Sequence, residues 1–238
     1  MTTERLTKAE QKALRRQEKA QEEIVKSSRR RFWRNMMVVF GVIFFALIIY
    51  LVNFFWQSDT TGAVSDMNDP IKGSPNARVV IRAYSDFQCP ACQQAALSIN
   101  EALRPFDPKD VALIFNDYPL IELHPKAYEA ALAAQCANEQ GKFWEMHDRI
   151  FMDQQSWVGL DDPREKFISY ARVFEIDEDK FRACLGEERY KNLIQEDITE
   201  GISLNINATP TYFINRTRIV GVKPINELEE IIQDALGD

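Results

Sequence analysis

The sequence predicts an α/β domain behind an apolar N-terminal segment, and three observations lead to this class. Two β-branched runs, at 77–84 and 111–115, flank a helical pattern and so predict a parallel β-α-β unit. A long stretch with helical periodicity, roughly 125–205, shows no strand pattern. A short hairpin and a last helix then close the chain, which gives the order β-α-β, several helices, β-β-α.

The composition is that of a folded chain whose charge is divided unevenly. Hydrophobic residues make up 45% of the 238 residues, with only 9 Gly and 10 Pro, which excludes disordered and low-complexity proteins. The net charge of -7 argues against nucleic acid as a partner. Residues 1–35 contain eleven Lys and Arg against five Asp and Glu, whereas the rest of the chain contains 18 against 31. The first segment is therefore expected to form a basic cytosolic tail.

An uncharged apolar segment follows at 36–56 and predicts one transmembrane helix. As a helix its 21 residues span about 30 Å, the thickness of a hydrocarbon core. An arginine-rich flank precedes it, and Trp33 and Trp56 lie where interfacial aromatic side chains are found. The positive-inside rule then places the N-terminus in the cytosol and the chain after Ser58 outside.

Two other interpretations of 36–56 stay open. A cleaved signal peptide has a shorter apolar run and a small-residue cleavage site, and a buried core helix is rarely so uniformly apolar. We favour an uncleaved signal-anchor, which makes the lipid bilayer a partner of the chain. The polar segment 57–75 is interpreted as a linker, and 76–238 as the exported domain.

Each predicted element of this domain has its own pattern. The first strand contains the β-branched residues Val79, Val80 and Ile81. The helix that follows, 90–104, places alanine, isoleucine and leucine side chains on one face. The segments 211–214 and 218–220 predict a hairpin, and an amphipathic pattern after it predicts the last helix.

The sharpest motif is Cys89-Pro90-Ala91-Cys92, at the start of the first predicted helix. Cys89 falls at the N-cap, where unpaired N–H groups and the helix dipole stabilise a thiolate. Pro90 fits the first helical position because that position needs no N–H donor. Cys92 lies about one turn further along. We predict a redox-active pair in which Cys89 is the activated, accessible nucleophile and Cys92 the buried resolving thiol.

The motif has two other interpretations. A zinc site needs four ligands, and because the sequence has no second pair of this kind, His124 and His147 would have to complete it. A purely structural disulfide between Cys89 and Cys92 is the second. We expect His124 to end a loop and cap a helix, and His147 to be a packed or a half-exposed helix residue. Neither a metal nor a cofactor is expected.

With this motif, the chain resembles the DsbA-like thiol:disulfide oxidoreductases of the thioredoxin-fold superfamily, of the membrane-anchored bacterial type. The similar stretches are 69–73, the sequence YSDFQCPAC at 84–92, the helix 127–151, and TPTYFIN at 209–215 before Gly221. The resemblance implies a thioredoxin fold with a helical insertion at about 122–205. It also implies disulfide exchange with exported proteins, as an oxidase or, in reverse, as a reductase or isomerase.

The resemblance assigns a role to Thr209 and Pro210 as well. In this fold a cis-proline opens the strand that faces the redox pair. A proline at position 210 offers no N–H and keeps metal-like ligation away from the sulfurs. The backbone of Thr209 would pair with an extended substrate strand.

The sequence departs from the family pattern near the motif. Ala83 stands where many thioredoxin-like proteins have a buried acid. Asp86, closer to the site, is expected to be an exposed loop residue, with assistance to proton transfer from Cys92 as the alternative. Ala91 stands where the strongest oxidants have histidine, which predicts a milder oxidant with a less acidic Cys89.

Two further cysteines, Cys136 and Cys184, lie on the apolar faces of two predicted helices. An even count of cysteines outside the cytosol favours a structural disulfide between them. Two separately buried thiols are the alternative, and a second redox relay to Cys89 and Cys92 is a weaker one.

Together these features predict a single-pass membrane protein whose exported domain exchanges disulfides with exported proteins and is reoxidised by a membrane redox partner. A tethered chaperone or binding module is one alternative, and a metal-delivery protein that uses the two thiols is another. Activity that survives loss of both Cys89 and Cys92 would favour the chaperone. Stoichiometric metal on the reduced thiols would favour metal delivery.

The charge asymmetry leads to a prediction about topology. A reporter enzyme that is active only outside the cytosol, fused after Asp238, should be active because the arginines before 36–56 hold the N-terminus inside. A matched fusion to residues 1–35 should be inactive. Activity of a cytosol-specific reporter after Asp238 would contradict an exported domain.

Overall fold

The computed structural model describes residues 36–37, 41, 44–45, 48 and 69–237. The chain divides into two compact units, Met1–Val64 and Ser65–Asp238. Within the described residues, no helix is both long and apolar enough to cross a bilayer. The predicted tail at 1–35 lies wholly, and the predicted anchor at 36–56 largely, outside these residues, so both stay predictions.

A mixed sheet forms the centre of the second unit. Its strands are β1 (Ile71–Lys72), β2 (Val79–Ser85), β3 (Val111–Asp117), β4 (Thr211–Ile214) and β5 (Thr217–Val220). They lie in the order β1-β3-β2-β4-β5. The pair β2 and β3 is parallel, and the other neighbouring strands are antiparallel. The predicted β-α-β unit and the C-terminal hairpin are thus confirmed.

The folded domain begins before the predicted end of the linker at residue 75. β1 lies inside the segment 57–75, yet it pairs with β3 through Ile71 and Ile114. A two-residue strand carries no periodicity of its own, and its partner lies about forty residues further along the chain. The last residues of the predicted linker therefore belong to the folded domain.

Helices account for most of the rest of residues 69–237. They are α1 (Pro90–Ala102), α2 (Ala127–Asn138), α3 (Phe143–Met152), α4 (Gln154–Trp157), α5 (Arg164–Val173), α6 (Glu178–Gly186), α7 (Lys191–Ser203) and α8 (Ile225–Gly237). The helices from α2 to α7 stand between β3 and β4, where the sequence predicts an insertion at about 122–205.

The core has two main parts that meet near the motif. One lies between the sheet and helices α1 and α8, and includes Ile81, Leu113 and Leu228. The other fills the interior of the helical insertion, and Cys89 and Cys92 belong to it. Phe115 on β3 packs into this second part, whereas Leu113, two residues earlier, packs into the first. The end of the central strands is therefore the junction between the sheet and the insertion.

Cys136 in α2 and Cys184 in α6 form a disulfide inside the insertion. Both residues are fully buried, and 48 positions separate them in the chain. The bond joins two helices whose apolar faces both belong to the core of the insertion.

A buried polar network ties the end of β3 to the insertion. Asp197 in α7 accepts the Asp117 N–H at 2.7 Å, and the Gln135 amide donates to Asp117 at 2.6 Å. The Asn116 amide donates to Asp69, just before β1, at 2.9 Å. Burial raises the pKa of Asp117 to about 7 and that of Asp197 to about 9. No local pattern in the sequence indicates this network, because its members come from four separate segments.

Replacing both Cys136 and Cys184 with alanine should lower the free energy of unfolding by about 4 kcal/mol, since the bond closes a long loop in the unfolded chain. Urea unfolding of the full-length chain would measure this. A Cys89→Ala/Cys92→Ala variant is the matched control for loss of two sulfurs. Equal stability of the wild type and the Cys136/Cys184 variant under oxidising conditions would contradict a stabilising bond.

Candidate active site

The first turn of α1 is the structural basis of the site. Cys89 is its N-cap, with extended backbone angles (φ -74, ψ 122), and Pro90 begins the helix. No side chain caps this helix end by a hydrogen bond. The first N–H groups of a helix lack partners within it, so they are open to a negatively charged sulfur.

The two cysteines differ in burial and in acidity. Cys89 is 8% exposed and Cys92 is fully buried, and both are free thiols. A hydrogen bond from the Cys92 thiol, supported by the N–H groups of Cys92 and Ala91, lowers the pKa of Cys89 to about 5. Burial raises the pKa of the Cys92 thiol well above its ordinary value. The site therefore pairs one thiolate with one thiol that keeps its proton, and the nucleophile is less exposed than expected.

Thr209 and Pro210 lie next to the nucleophile. The peptide bond between them is cis. The Thr209 carbonyl oxygen is 3.7 Å from Cys89 Sγ, and the Pro210 carbonyl accepts the N–H of Gly221 at 2.8 Å. The fold thus brings Cys89, Cys92, Thr209 and Pro210 together from two distant parts of the chain.

Asp86 is buried, so the expectation of an exposed loop residue is wrong. The residue is 1% exposed, and its carboxylate accepts the N–H groups of Gln88 and Cys89. Its own N–H donates to Cys92 Sγ at 3.4 Å. An aspartate side chain that accepts the N–H two residues further along the chain commonly forms a turn. The aspartate at position 86, just before the motif, is the feature of the sequence that could have indicated this turn.

The two histidines have separate surroundings. The Nδ1 atom of His124 lies 2.8 Å from the Asp86 carboxylate, so this ring does not cap a helix as expected. His147 is buried against the rings of Phe87 and Phe115, so of the packed and half-exposed positions that the sequence left open, the packed one is found. The contact of His124 with Asp86 joins residues 38 positions apart, so no local pattern in the sequence predicts it.

The described residues bring no further ligand to the two thiols. Of the histidines that a zinc site would need, His124 contacts Asp86 and His147 contacts Asp148 at 2.8 Å. Among residues 36–37, 41, 44–45, 48 and 69–237, no group of three His, Cys, Asp or Glu side chains is arranged to hold a metal ion.

Comparison with known proteins places the chain in a family. Residues 65–234 match the sequence model of a family described as thioredoxin. The chain belongs to the thioredoxin family. It is also 34% identical over 167 residues to a sodium/proton antiporter, NhaA 3, of Salinispora tropica. That match covers 70% of this chain but only 24% of the antiporter, so this thioredoxin-family chain spans about a quarter of the relative's length.

Solved structures with the same fold include a thiol-disulfide exchange protein. BdbD from Bacillus subtilis superposes with a TM-score of 0.63 at 24% identity, over 75% of this chain and 98% of BdbD. The thiol-disulfide exchange protein alpha-DsbA2 from Wolbachia pipientis gives 0.62 at 19% identity, over 72% and 89% of the two chains. At these identities the likeness establishes a thioredoxin-like fold with DsbA-like neighbours.

The difference in acidity predicts how the two thiols react with iodoacetamide. Labelling of Cys89 in the reduced full-length chain should fall as the pH drops through about 5, because only the thiolate reacts. Cys92 should stay unlabelled throughout. The urea-unfolded chain is the control, and both thiols should then react with a midpoint of about 8.5. Faster labelling of Cys92 in the folded chain would reverse the assignment.

Proposed function

We propose that this chain is a thiol:disulfide oxidoreductase that acts on exported proteins through Cys89 and Cys92. The proposal rests on the difference between the pKa values of the two thiols at the start of α1. The pKa of Cys89 is lowered to about 5, while the neighbouring Cys92 keeps its proton. A nucleophilic thiolate beside a protonated resolving thiol is the arrangement that disulfide exchange requires.

The reaction begins with Cys89 and Cys92 joined as a disulfide. A substrate thiolate attacks Cys89 Sγ, which forms a mixed disulfide and releases the Cys92 sulfur. Because burial raises the pKa of Cys92, this sulfur takes up a proton as it leaves. Release of Cys92 rather than Cys89 keeps the substrate on the sulfur that retains some exposure.

A second substrate thiolate then attacks the substrate sulfur of the mixed disulfide. The bond to Cys89 breaks, and Cys89 leaves as a thiolate stabilised by the N–H groups of the first helical turn. The substrate gains a disulfide and loses two electrons and two protons, and the pair is left reduced. A membrane redox partner, itself an oxidant of dithiols, would return the pair to its disulfide.

The acidity of Cys89 favours the oxidising direction. A lowered thiolate pKa stabilises the reduced form of the pair and so makes its disulfide a stronger oxidant. The side chain of Ala91 supplies neither a charge nor a hydrogen bond to Cys89, whereas a histidine at this position would do so. This supports a milder oxidant than the proteins with histidine there.

Position 209 supports a binding mode for the substrate. The Thr209 carbonyl lies beside the nucleophile, so a substrate chain whose cysteine reaches Cys89 also comes within reach of the Thr209 backbone. An extended substrate segment would then pair with it as an added strand.

We also propose that the segment 36–56 anchors the domain to the membrane with the redox pair outside the cytosol. The support is its uncharged length and the basic residues before it. Carbonate extraction of membranes from the native host would test the anchor, and release of the full chain into the soluble fraction would contradict it.

The reaction scheme predicts that Cys92→Ala traps substrates. When the Cys89 thiolate of this variant attacks a substrate disulfide, one substrate sulfur leaves as a thiolate and the other stays bonded to Cys89, because Cys92 is not there to displace it. The trapped proteins should appear as higher-mass species that a reducing agent releases. The full-length variant would be expressed in the native host and the adducts identified by mass spectrometry.

A Cys89→Ala/Cys92→Ala variant is the matched control and should form no adducts. Adducts that persist in this control, or adducts that a reducing agent does not release, would contradict exchange at Cys89. Activity of the control on reduced, unfolded substrate proteins would favour the chaperone alternative.

A further inference from the structure

The Asp86 carboxylate, buried beside the redox pair, has partners from two loops. Oδ1 accepts the N–H groups of Gln88 at 2.7 Å and Cys89 at 3.1 Å. Oδ2 accepts the N–H of Leu120 at 2.8 Å and lies 2.8 Å from Nδ1 of His124. The carboxylate is closed to solvent, whereas the imidazole is 14% exposed. One side chain thus connects the loop before α1 with the loop after β3.

The hydrogen position on His124 follows from these partners. A carboxylate that already accepts three N–H groups offers only lone pairs to a fourth partner, so Nδ1 is a donor. It carries a hydrogen in the neutral ring and in the protonated ring alike, and the protonated ring adds a positive charge.

The same carboxylate lies close to the reacting atoms. It holds the N–H of Cys89, and the N–H of Asp86 donates to Cys92 Sγ at 3.4 Å. A negative charge so close to Cys89 opposes formation of a thiolate there. Donation from His124 draws part of that charge to the far side of the carboxylate, where Oδ2 lies. The position and charge of Asp86 therefore bear on both sulfurs.

We propose that Asp86 and His124 are positioning residues of the redox pair: the carboxylate fixes the backbone of the nucleophile, and the imidazole offsets the carboxylate's charge at the Cys89 sulfur. The inference rests on the proposed function, because it takes Cys89 as the nucleophilic thiolate. The nearest charged side chains along the second loop are Glu122, which is exposed, and Lys126, whose Nζ contacts the carbonyl of Asp161. On this loop it is the His124 ring that contacts the Asp86 carboxylate.

The test is the pKa of Cys89, measured in the full-length chain from the pH dependence of its reaction with iodoacetamide. His124→Ala should raise this pKa by about one unit, because the carboxylate keeps its charge and loses a donor. Asp86→Asn should lower it by a similar amount, because the charge is gone. His124→Asn, whose amide can donate from near the place of Nδ1, should restore a value close to the wild type. In the Asp86→Asn background, His124→Ala should have no further effect.

Gln88→Ala is the matched control for loosening of the same two loops. It removes the bond from the Lys126 N–H to Gln88 Oε1, at 2.7 Å, without changing any charge, and should leave the pKa of Cys89 unmoved. Shifts in the same direction for His124→Ala, Asp86→Asn and Gln88→Ala would indicate loosening alone and would overturn the inference. If Asp86→Asn fails to fold, His124→Ala and Gln88→Ala still decide, since both remove a hydrogen bond between the two loops and only the loss of His124 changes the donation to the carboxylate.

The outcomes also separate this inference from the proposed function. An ordinary pKa for Cys89 in the wild type would remove the nucleophile and with it the proposed function. A low wild-type pKa that none of the variants changes would leave the proposed function standing and overturn only the roles of Asp86 and His124.

Discussion

The negative charge on the Cys89 sulfur has to be stabilised where little water reaches it, and much of the domain is arranged around that requirement. The first turn of α1 offers N–H groups that no helical carbonyl uses, and Cys89 occupies the N-cap where they point. Cys92, one turn along, adds the proton of a thiol that burial keeps protonated. The pairing depends on an abrupt change from β2 to α1, which the turn at Asp86 and the proline at position 90 provide.

The position of this turn explains the role of the helical insertion. If the end of β2 opened directly to water, Cys92 would be hydrated and the pKa of its thiol would be close to the ordinary value. The core of the insertion instead packs around both cysteines, and the aromatic rings of Phe87 and Phe151 are part of it. The insertion is thereby part of the chemistry, because it supplies the burial that separates the acidities of the two thiols.

Two buried polar clusters hold the insertion to the sheet. One is centred on Asp86 and joins the loops before α1 and after β3. The other is centred on Asp117 and joins β3 to α2 and α7. Buried carboxylates are costly unless they are bonded, so each cluster favours one relative placement of the segments it joins. The redox pair, at the start of α1, lies next to the strand ends that these clusters hold in place.

The secondary-structure elements and the reactive motif could be predicted from local patterns in the sequence. The β-branched run in 77–84 and the helical periodicity of the long stretch are local, as is the placement of Cys89-Pro90 at a helix start, and these predictions match the folded domain. The amphipathic faces also placed Cys136 and Cys184 in the interior. The assignment of Thr209 and Pro210 depended on a resemblance, because nothing local indicates which strand will face the cysteines.

The surroundings of the motif depend on contacts between segments that are distant in the chain. β1 exists because the edge of β3 is available to it, and two residues carry no pattern of their own. Asp86 is buried because a loop more than thirty residues away covers it, and His124 finds a partner 38 positions distant. Local patterns fix secondary structure, whereas burial and hydrogen-bond partners are properties of segments that meet only in the folded chain. The acidity of Cys89 therefore followed from the fold, although the cysteine itself could be identified from the sequence.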